Sequence, residues 1–278
     1  MLNEIMTEGD YRNQLLNRTM PFLSVEGANT LREKTVVIAG CGGVGAISAI
    51  SLARTGVGNF RLADPGAFDP PDMNRQIGAA RNTMGRNKAE VYAEQIKDIN
   101  PFANIEVYSD GVAAHNINSL IDGADFLIDC LDLSVTSKLR SDLYNACREN
   151  GIMISSTPMV GFGGAIFISD PDGMSMDFLL ENFLNKLPED KFVFDDNLSR
   201  YFMPEHLKIV EEWIQTKKTK VPSIAISPML ISGFLCTEIL NAFIGDVIPG
   251  GRLPIVLPRV LFFDPIRMSY ELINVEDL

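Results

Sequence analysis

The chain has 278 residues, 46% of them hydrophobic and 22% charged, which is the composition of a folded globular protein long enough for about two domain-sized units. Its 24 basic and 36 acidic residues leave a net charge of −12, a balance that repels nucleic-acid backbones and anionic lipid surfaces. None of the four cysteines forms a C-x-x-C pair and only two histidines occur, so a zinc ribbon is excluded by spacing and a histidine metal centre or Ser-His-Asp triad has little to draw on.

Residues 1–34 read as an N-terminal helical arm. The first ten are acidic and lack the apolar stretch of a signal peptide. With cysteines in apolar or glycine-rich contexts, the chain reads as a reduced, cytoplasmic protein. Residues 35–39 form a β-branched strand run, and residues 45–54 follow with small and apolar residues at helical spacing. Residues 60–63 predict a second strand ending in Asp64. Residues 88–99 predict a helix with Ala89, Ala93 and Ile96 on one face, stopped by Asn100-Pro101. Further strands are expected at 105–108, 126–128 and 152–155, separated by helices near 115–122 and 136–149. Alternation of this kind predicts an α/β fold with a doubly wound, mostly parallel, Rossmann-like sheet over residues 35–170.

Residues 171–278 read as an extension that completes the sheet. A strand at 161–168 leads into helices at 174–184 and 205–215, with a charged excursion between them, read as mobile and set near 185–222 overall. Phe178, Phe183, Phe192 and Phe194 surround it and serve either as core and lid packing or as a groove for a partner's tail. Residues 223–244 are apolar enough to raise a membrane span, but Pro228, Glu238 and Asn241 interrupt them, and a buried core helix is expected, with no membrane. Strands at 256–263 and 268–272 are expected to pair antiparallel through Asp264-Pro265.

The chemistry begins at Gly40-Cys41-Gly42-Gly43-Val44-Gly45, directly after the first strand. Glycines there let the backbone approach a phosphate or ribose at a helix N-terminus. Asp64, about 20 residues on, stands where a carboxylate accepts ribose hydroxyls. Gly40, Gly42, Gly43, Gly45 and Asp64 therefore make a candidate adenine-nucleotide site; the alternative is a tight packing turn. A dinucleotide needs no further cations, yet Asn74-Arg75-Gln76 and then Lys88 follow. Arginine and lysine at that edge suit a triphosphate, whose charge must be neutralised. Asp132, just past a strand, can hold Mg²⁺ against the phosphates. Surface ion pairs for Arg75 and Lys88 and a helix cap for Asp132 are the structural alternatives.

These pieces together resemble the ThiF/MoeB/HesA family, the bacterial branch of the ubiquitin-activating enzyme superfamily. The resemblance is carried by residues 40–45, Thr55-Gly56-Val57-Gly58, Asp64, Asn74-Arg75-Gln76, Gly85 with Lys88-Ala89, Ile99-Asn100-Pro101, and Asp129 through Asp132; it covers about 27–170 and the apolar helix near 225–243. It implies an ATP- and Mg-dependent adenylyltransferase that activates the C-terminal carboxylate of a small carrier protein or peptide. By the resemblance, Asp64 holds the ribose, Gly42 and Gly43 line the nucleotide, Arg75 and Lys88 grip the phosphates, and Asp132 binds Mg²⁺. It further implies a homodimer in which Arg12 or Arg18 reaches the partner's phosphates.

The sequence departs from the family pattern in several places. Gly66 stands where a second aspartate is usual, Asp72 where an asparagine is usual, and Leu133 where an asparagine follows the D-C-x-D element. Paired zinc ligands and a cysteine in 171–222 are absent, so no thioester step is expected. Other readings on the same fold are a nucleotide-binding scaffold with little turnover, an NAD(P)-dependent oxidoreductase, and a tRNA-modifying dehydratase.

Overall fold

The computed structural model describes residues 6–132, 135–182, 200–216 and 221–277. Leu133 and most of the expected excursion, with Phe183, Phe192 and Phe194, lie outside the described residues. Two N-terminal helices, α1 (Glu8–Leu15) and α2 (Met20–Glu33), lead into β1 (Thr35–Ala39), α3 (Gly43–Thr55), β2 (Asn59–Ala63), α4 (Lys88–Ile99), β3 (Asn104–Tyr108), α5 (Ile117–Ile121), β4 (Phe126–Asp129), α6 (Ser137–Glu149) and β5 (Met153–Ser156). Then come β6 (Met159–Val160), β7 (Gly163–Ser169), α7 (Asp177–Asn182), α8 (Pro204–Gln215), α9 (Ile226–Ile244), β8 (Arg259–Asp264) and β9 (Ser269–Asn274).

The strands form one sheet in the order β3-β2-β1-β4-β5-β7-β8-β9, with β6 paired to β7. Pairing is parallel from β3 through β5 and antiparallel from there to β9. This is the expected α/β sheet with an antiparallel extension. β8 and β9 pair through the turn at Asp264, with Asp264 opposite Ser269.

Side chains alternate across the strands and feed two cores. Val36, Ile38, Phe60, Leu62, Phe126 and Ile128 face α2, α3, α4 and α9, while Val37, Ala39, Ala63 and Leu127 face α5, α6 and α8. The sheet is thus the middle of three layers, and the parallel strands are near-continuous apolar runs because both faces are covered.

α9 is the apolar segment that raised a membrane span. It is the one helix among the described residues long and apolar enough to cross a bilayer, with a mean hydropathy of 1.4. In the fold it lies along α3. Gly43, which meets Pro228, lets the two helices approach, and Ser232 Oγ donates to Val44 O at 3.1 Å and Cys236 Sγ to Ser48 O at 3.7 Å. Ile231, Leu235 and Ile239 recur every four residues on the buried face.

Strand order reverses between β1 and β4. The carboxyl edge of the sheet at that reversal is the usual ligand position in such folds.

Candidate nucleotide site

The glycine loop leaves β1 and opens α3. Gly40 has φ of +98°, and a Cβ on it would stand 2.3 Å from the Cys130 carbonyl oxygen. A Cβ on Gly45 would stand 2.0 Å from Gly40 O, and one on Gly43 would press on Pro228 of α9 at 3.1 Å. Those glycines are required by the protein's own packing. Gly42 differs, since a Cβ there would meet nothing within 4 Å. It caps α3 with no side-chain hydrogen bond, so the first helical N–H groups point to an open space.

Asp64 ends β2 and holds this loop. Its Oδ2 accepts from the Cys41 N–H and its Oδ1 from the Gly66 N–H, both at 2.7 Å. Burial raises its pKa above the ordinary carboxylate value, opposed by those amides and by Lys88. Each oxygen keeps a lone pair beyond its amide. The amide of Asn87 donates to the Asp64 carbonyl at 3.0 Å, which fixes the start of α4, and hence Lys88, beside β2.

The cationic wall starts at a 3₁₀ turn, Pro70–Asn74, closed by a reciprocal capping box between Asp69 and Asp72. Arg75 and Gln76 follow. Arg75 donates to Asn74 Oδ1 at 2.8 Å, and Asn74 Nδ2 donates to Ser223 O at 2.9 Å, tying the wall to the segment before α9. The Arg75 carbonyl lies 3.6 Å from where a Gly43 Cβ would sit, so the wall adjoins the glycine loop. Gln76 is buried and donates to Asp72 Oδ1 at 2.8 Å. Lys88 Nζ is 3.0 Å from Asp72 Oδ2 and 5.8 Å from the Phe68 ring centroid, and Arg75 Nη2 is 3.8 Å from Asp72 Oδ1. The ion-pair alternative for these two cations is therefore realised in part, with a buried carboxylate as their partner.

Asp132 stands exposed on the loop after β4. The loop is held from behind by Arg140 of α6, which donates to Leu131 O at 2.6 Å and to Asp132 O at 2.7 Å, and pairs with buried Asp129 at 2.6 Å. Tyr144 also donates to Asp129. Burial by itself would lower the Arg140 pKa, but Asp129 and Tyr144 more than offset this and raise it; burial beside Asp129 pushes the Tyr144 phenol up. Sequence reading missed Arg140 and Tyr144; their i, i+4 spacing on a predicted helix was the available signal.

One expectation changes. Arg12 is 8% exposed and donates to Ala28 O at 2.7 Å and Gly56 O at 3.4 Å. Burial and nearby Arg32 lower its pKa. A guanidinium folded onto two carbonyls of its own chain is not offered to a second copy; Arg18, by contrast, is exposed. His206 packs against the Phe162 ring at 5.6 Å between centroids.

All four cysteines are free. Burial raises the Cys41 thiol well above its ordinary value and pushes Cys130, Cys147 and Cys236 up to about 12. None has the depressed pKa of a nucleophilic thiol. The described residues hold no cluster of three or more metal-ligating side chains. Mg²⁺ needs none, because it takes one or two carboxylates together with phosphate oxygens and water. An exposed carboxylate, Asp132, on a clamped loop fits that requirement.

Comparison with known proteins adds relatives. The chain is 28% identical over 221 residues to a tRNA threonylcarbamoyladenosine dehydratase of Haemophilus influenzae, covering 77% of this chain and 82% of that one. It is 25% identical over 166 residues to the sulfur carrier protein ThiS adenylyltransferase of Escherichia coli, covering 60% and 65%. Several other curated relatives are matched over only about half of their length. A solved structure of E. coli MccB with ATP has the same fold, with a TM-score of 0.70, 17% identity, and coverage of 96% of this chain and 73% of that one. The family model for ThiF matches residues 13–277, and the chain belongs to the ThiF family.

Proposed function

We propose that the protein binds MgATP and adenylates the C-terminal carboxylate of a small carrier protein or peptide. The observation that carries this reading is the pair of cations, Arg75 and Lys88, on the wall that adjoins the glycine loop at Gly43. A dinucleotide would use the helix terminus and Asp64 and leave those cations to their pairing with Asp72 alone.

In this reading the ribose hydroxyls donate to Asp64, and the polyphosphate lies over Gly42 against Arg75 and Lys88. Asp132 would hold Mg²⁺, which screens triphosphate charge when bound. The incoming carboxylate is already anionic at neutral pH and needs no general base. One of its oxygens bonds to the α-phosphorus, and the bond to the bridging oxygen breaks, leaving with its electron pair as pyrophosphate. The protein's part is to orient the two reactants and neutralise charge on the phosphates. The acyl-adenylate then passes to an external nucleophile, consistent with four thiols held protonated by burial. The same reading takes the protein to be a cytoplasmic homodimer with Arg18 as the residue available to a partner.

A second reading takes the activated carboxylate to be borne on tRNA; the match over 82% of the dehydratase favours it, and the net charge of −12 opposes it. ATP–pyrophosphate exchange tests both. Exchange that requires a glycine-terminated carrier and is lost in Asp132→Ala supports the first. Exchange that requires tRNA supports the second. MgATP binding with no exchange leaves the scaffold reading, and binding of NAD(P) without ATP refutes adenylation.

A further inference from the structure

Asp72 is 1% exposed, and it lies behind both cations of the wall. Its carboxylate accepts from the Gln76 amide at 2.8 Å and from the Asp69 N–H at 3.2 Å, and its own backbone turn forms the capping box. It is therefore fixed and cannot swing into solvent when another anion arrives. We propose that Asp72 is a built-in counterion of the phosphate wall, holding Lys88 and Arg75 while no nucleotide is bound and weakening the grip of the site on polyphosphates; this rests on the nucleotide reading above.

The charge balance supports it. Arg75 and Lys88 are matched by Asp72 and Asp64, so the wall carries no net positive charge before Asp132 is counted. A polyphosphate that draws Lys88 forward leaves a buried carboxylate without its ion partner, and removing one member of a buried pair is costly. Each phosphate added to a ligand meets that opposition. A ligand without phosphates does not.

The geometry also supplies a clean variant. Gln76 Oε1 is buried and meets no hydrogen-bond donor. In Asp72→Asn the Asn carbonyl oxygen can keep the Asp69 N–H, and a flipped Gln76 amide can accept from the Asn NH₂. The turn is preserved while the charge is removed.

Titration calorimetry with ATP and with adenosine tests the proposal on wild type, Asp72→Asn, Asp72→Ser, Asp72→Glu, and Asp72→Asn combined with Lys88→Met. The neutral variants are expected to bind ATP roughly tenfold more tightly and adenosine as wild type does. Asp72→Glu should resemble wild type, and loss of Lys88 should erase the gain. Folded neutral variants that bind ATP no tighter than wild type would overturn the proposal, as would equal tightening toward adenosine. Should no variant bind ATP while adenosine or NAD(P) still binds, it is the ATP reading that fails. Asp72→Ser removes the same charge with a smaller side chain, so a folding defect in Asp72→Asn does not end the test.

Discussion

The glycine loop separates residues required by packing from one reserved for a ligand, and substitution by alanine reads the difference. A Cβ on Gly45 would stand 2.0 Å from the Gly40 carbonyl and 3.0 Å from an Ile38 methyl, so backbone must move. Forced overpacking of this kind costs about 1–3 kcal/mol or more. At about 2–4 °C per kcal/mol for a chain of this size, Gly45→Ala should melt roughly 5–10 °C below wild type. On Gly42 a Cβ meets nothing, but its ψ of −146° at a φ of −81° lies outside the broad β region, so an alanine costs about 1 kcal/mol of local backbone strain. The helix-capping loss of about 0.5–1 kcal/mol is offset by a similar gain from the stiffer unfolded chain. With the backbone strain left over, Gly42→Ala should melt about 2–4 °C below wild type, above Gly45→Ala. Its methyl projects into the space assigned to the nucleotide, and ATP affinity by calorimetry should fall about tenfold or more. A Gly42→Ala protein that melts as low as Gly45→Ala, or that binds ATP as wild type does, refutes this division of roles.

Other outcomes follow from the same geometry. Arg140→Met strands the buried Asp129 carboxylate and frees the Asp132 loop; a loss of about 3–5 kcal/mol is expected in thermal melts, together with weaker Mg-dependent ATP binding. Arg12→Met should cost about 1–3 kcal/mol of stability by leaving the Ala28 and Gly56 carbonyls without their donor, while ATP affinity in the folded fraction stays that of wild type; a selective loss of affinity would return Arg12 to the nucleotide. The buried thiols bind protons more tightly folded than unfolded, so their contribution is full below about pH 9 and declines as pH rises toward 12. Melts between pH 7 and 10.5 should show stability falling above pH 9, and Cys147→Ala should flatten that fall.

The parallel half of the fold was legible because its signals are local. β1 follows from a β-branched run, and α4 from the apolar face of Ala89, Ala93 and Ile96 and from Asn100-Pro101 at its end. The glycine loop and Asp64 were legible because their spacing is imposed by one strand-turn-helix-strand unit. What was not legible depends on contacts between segments. Asp72 reads from sequence as an unwelcome charge near a triphosphate; only the fold sets it beneath Lys88, which the chain reaches after a further turn. Arg140 reads as one more arginine on a helix, and its grip on the Leu131 and Asp132 carbonyls follows from how α6 packs beside β4. Arg12 reads as a solvated arginine and folds inward because α2 and α3 both present a carbonyl to it.

The buried carboxylates share a task. Asp64 ties the glycine loop to the end of β2, Asp72 ties the 3₁₀ turn to α4 through Lys88, and Asp129 ties the loop after β4 to α6 through Arg140. Each of these loops is thus fastened by an aspartate that accepts from protein donors. Asp132 differs, being exposed on a loop whose backbone is clamped. Rigid loops cost no reorganisation when charge develops between them, which is what in-line attack on a phosphorus demands. They also confine the adjustable parts of the site to Lys88, Arg75 and Asp132. Fastening of this kind explains why a chain so acidic overall can still present two cations to an anion: the carboxylate paired with both of them, Asp72, is buried behind them.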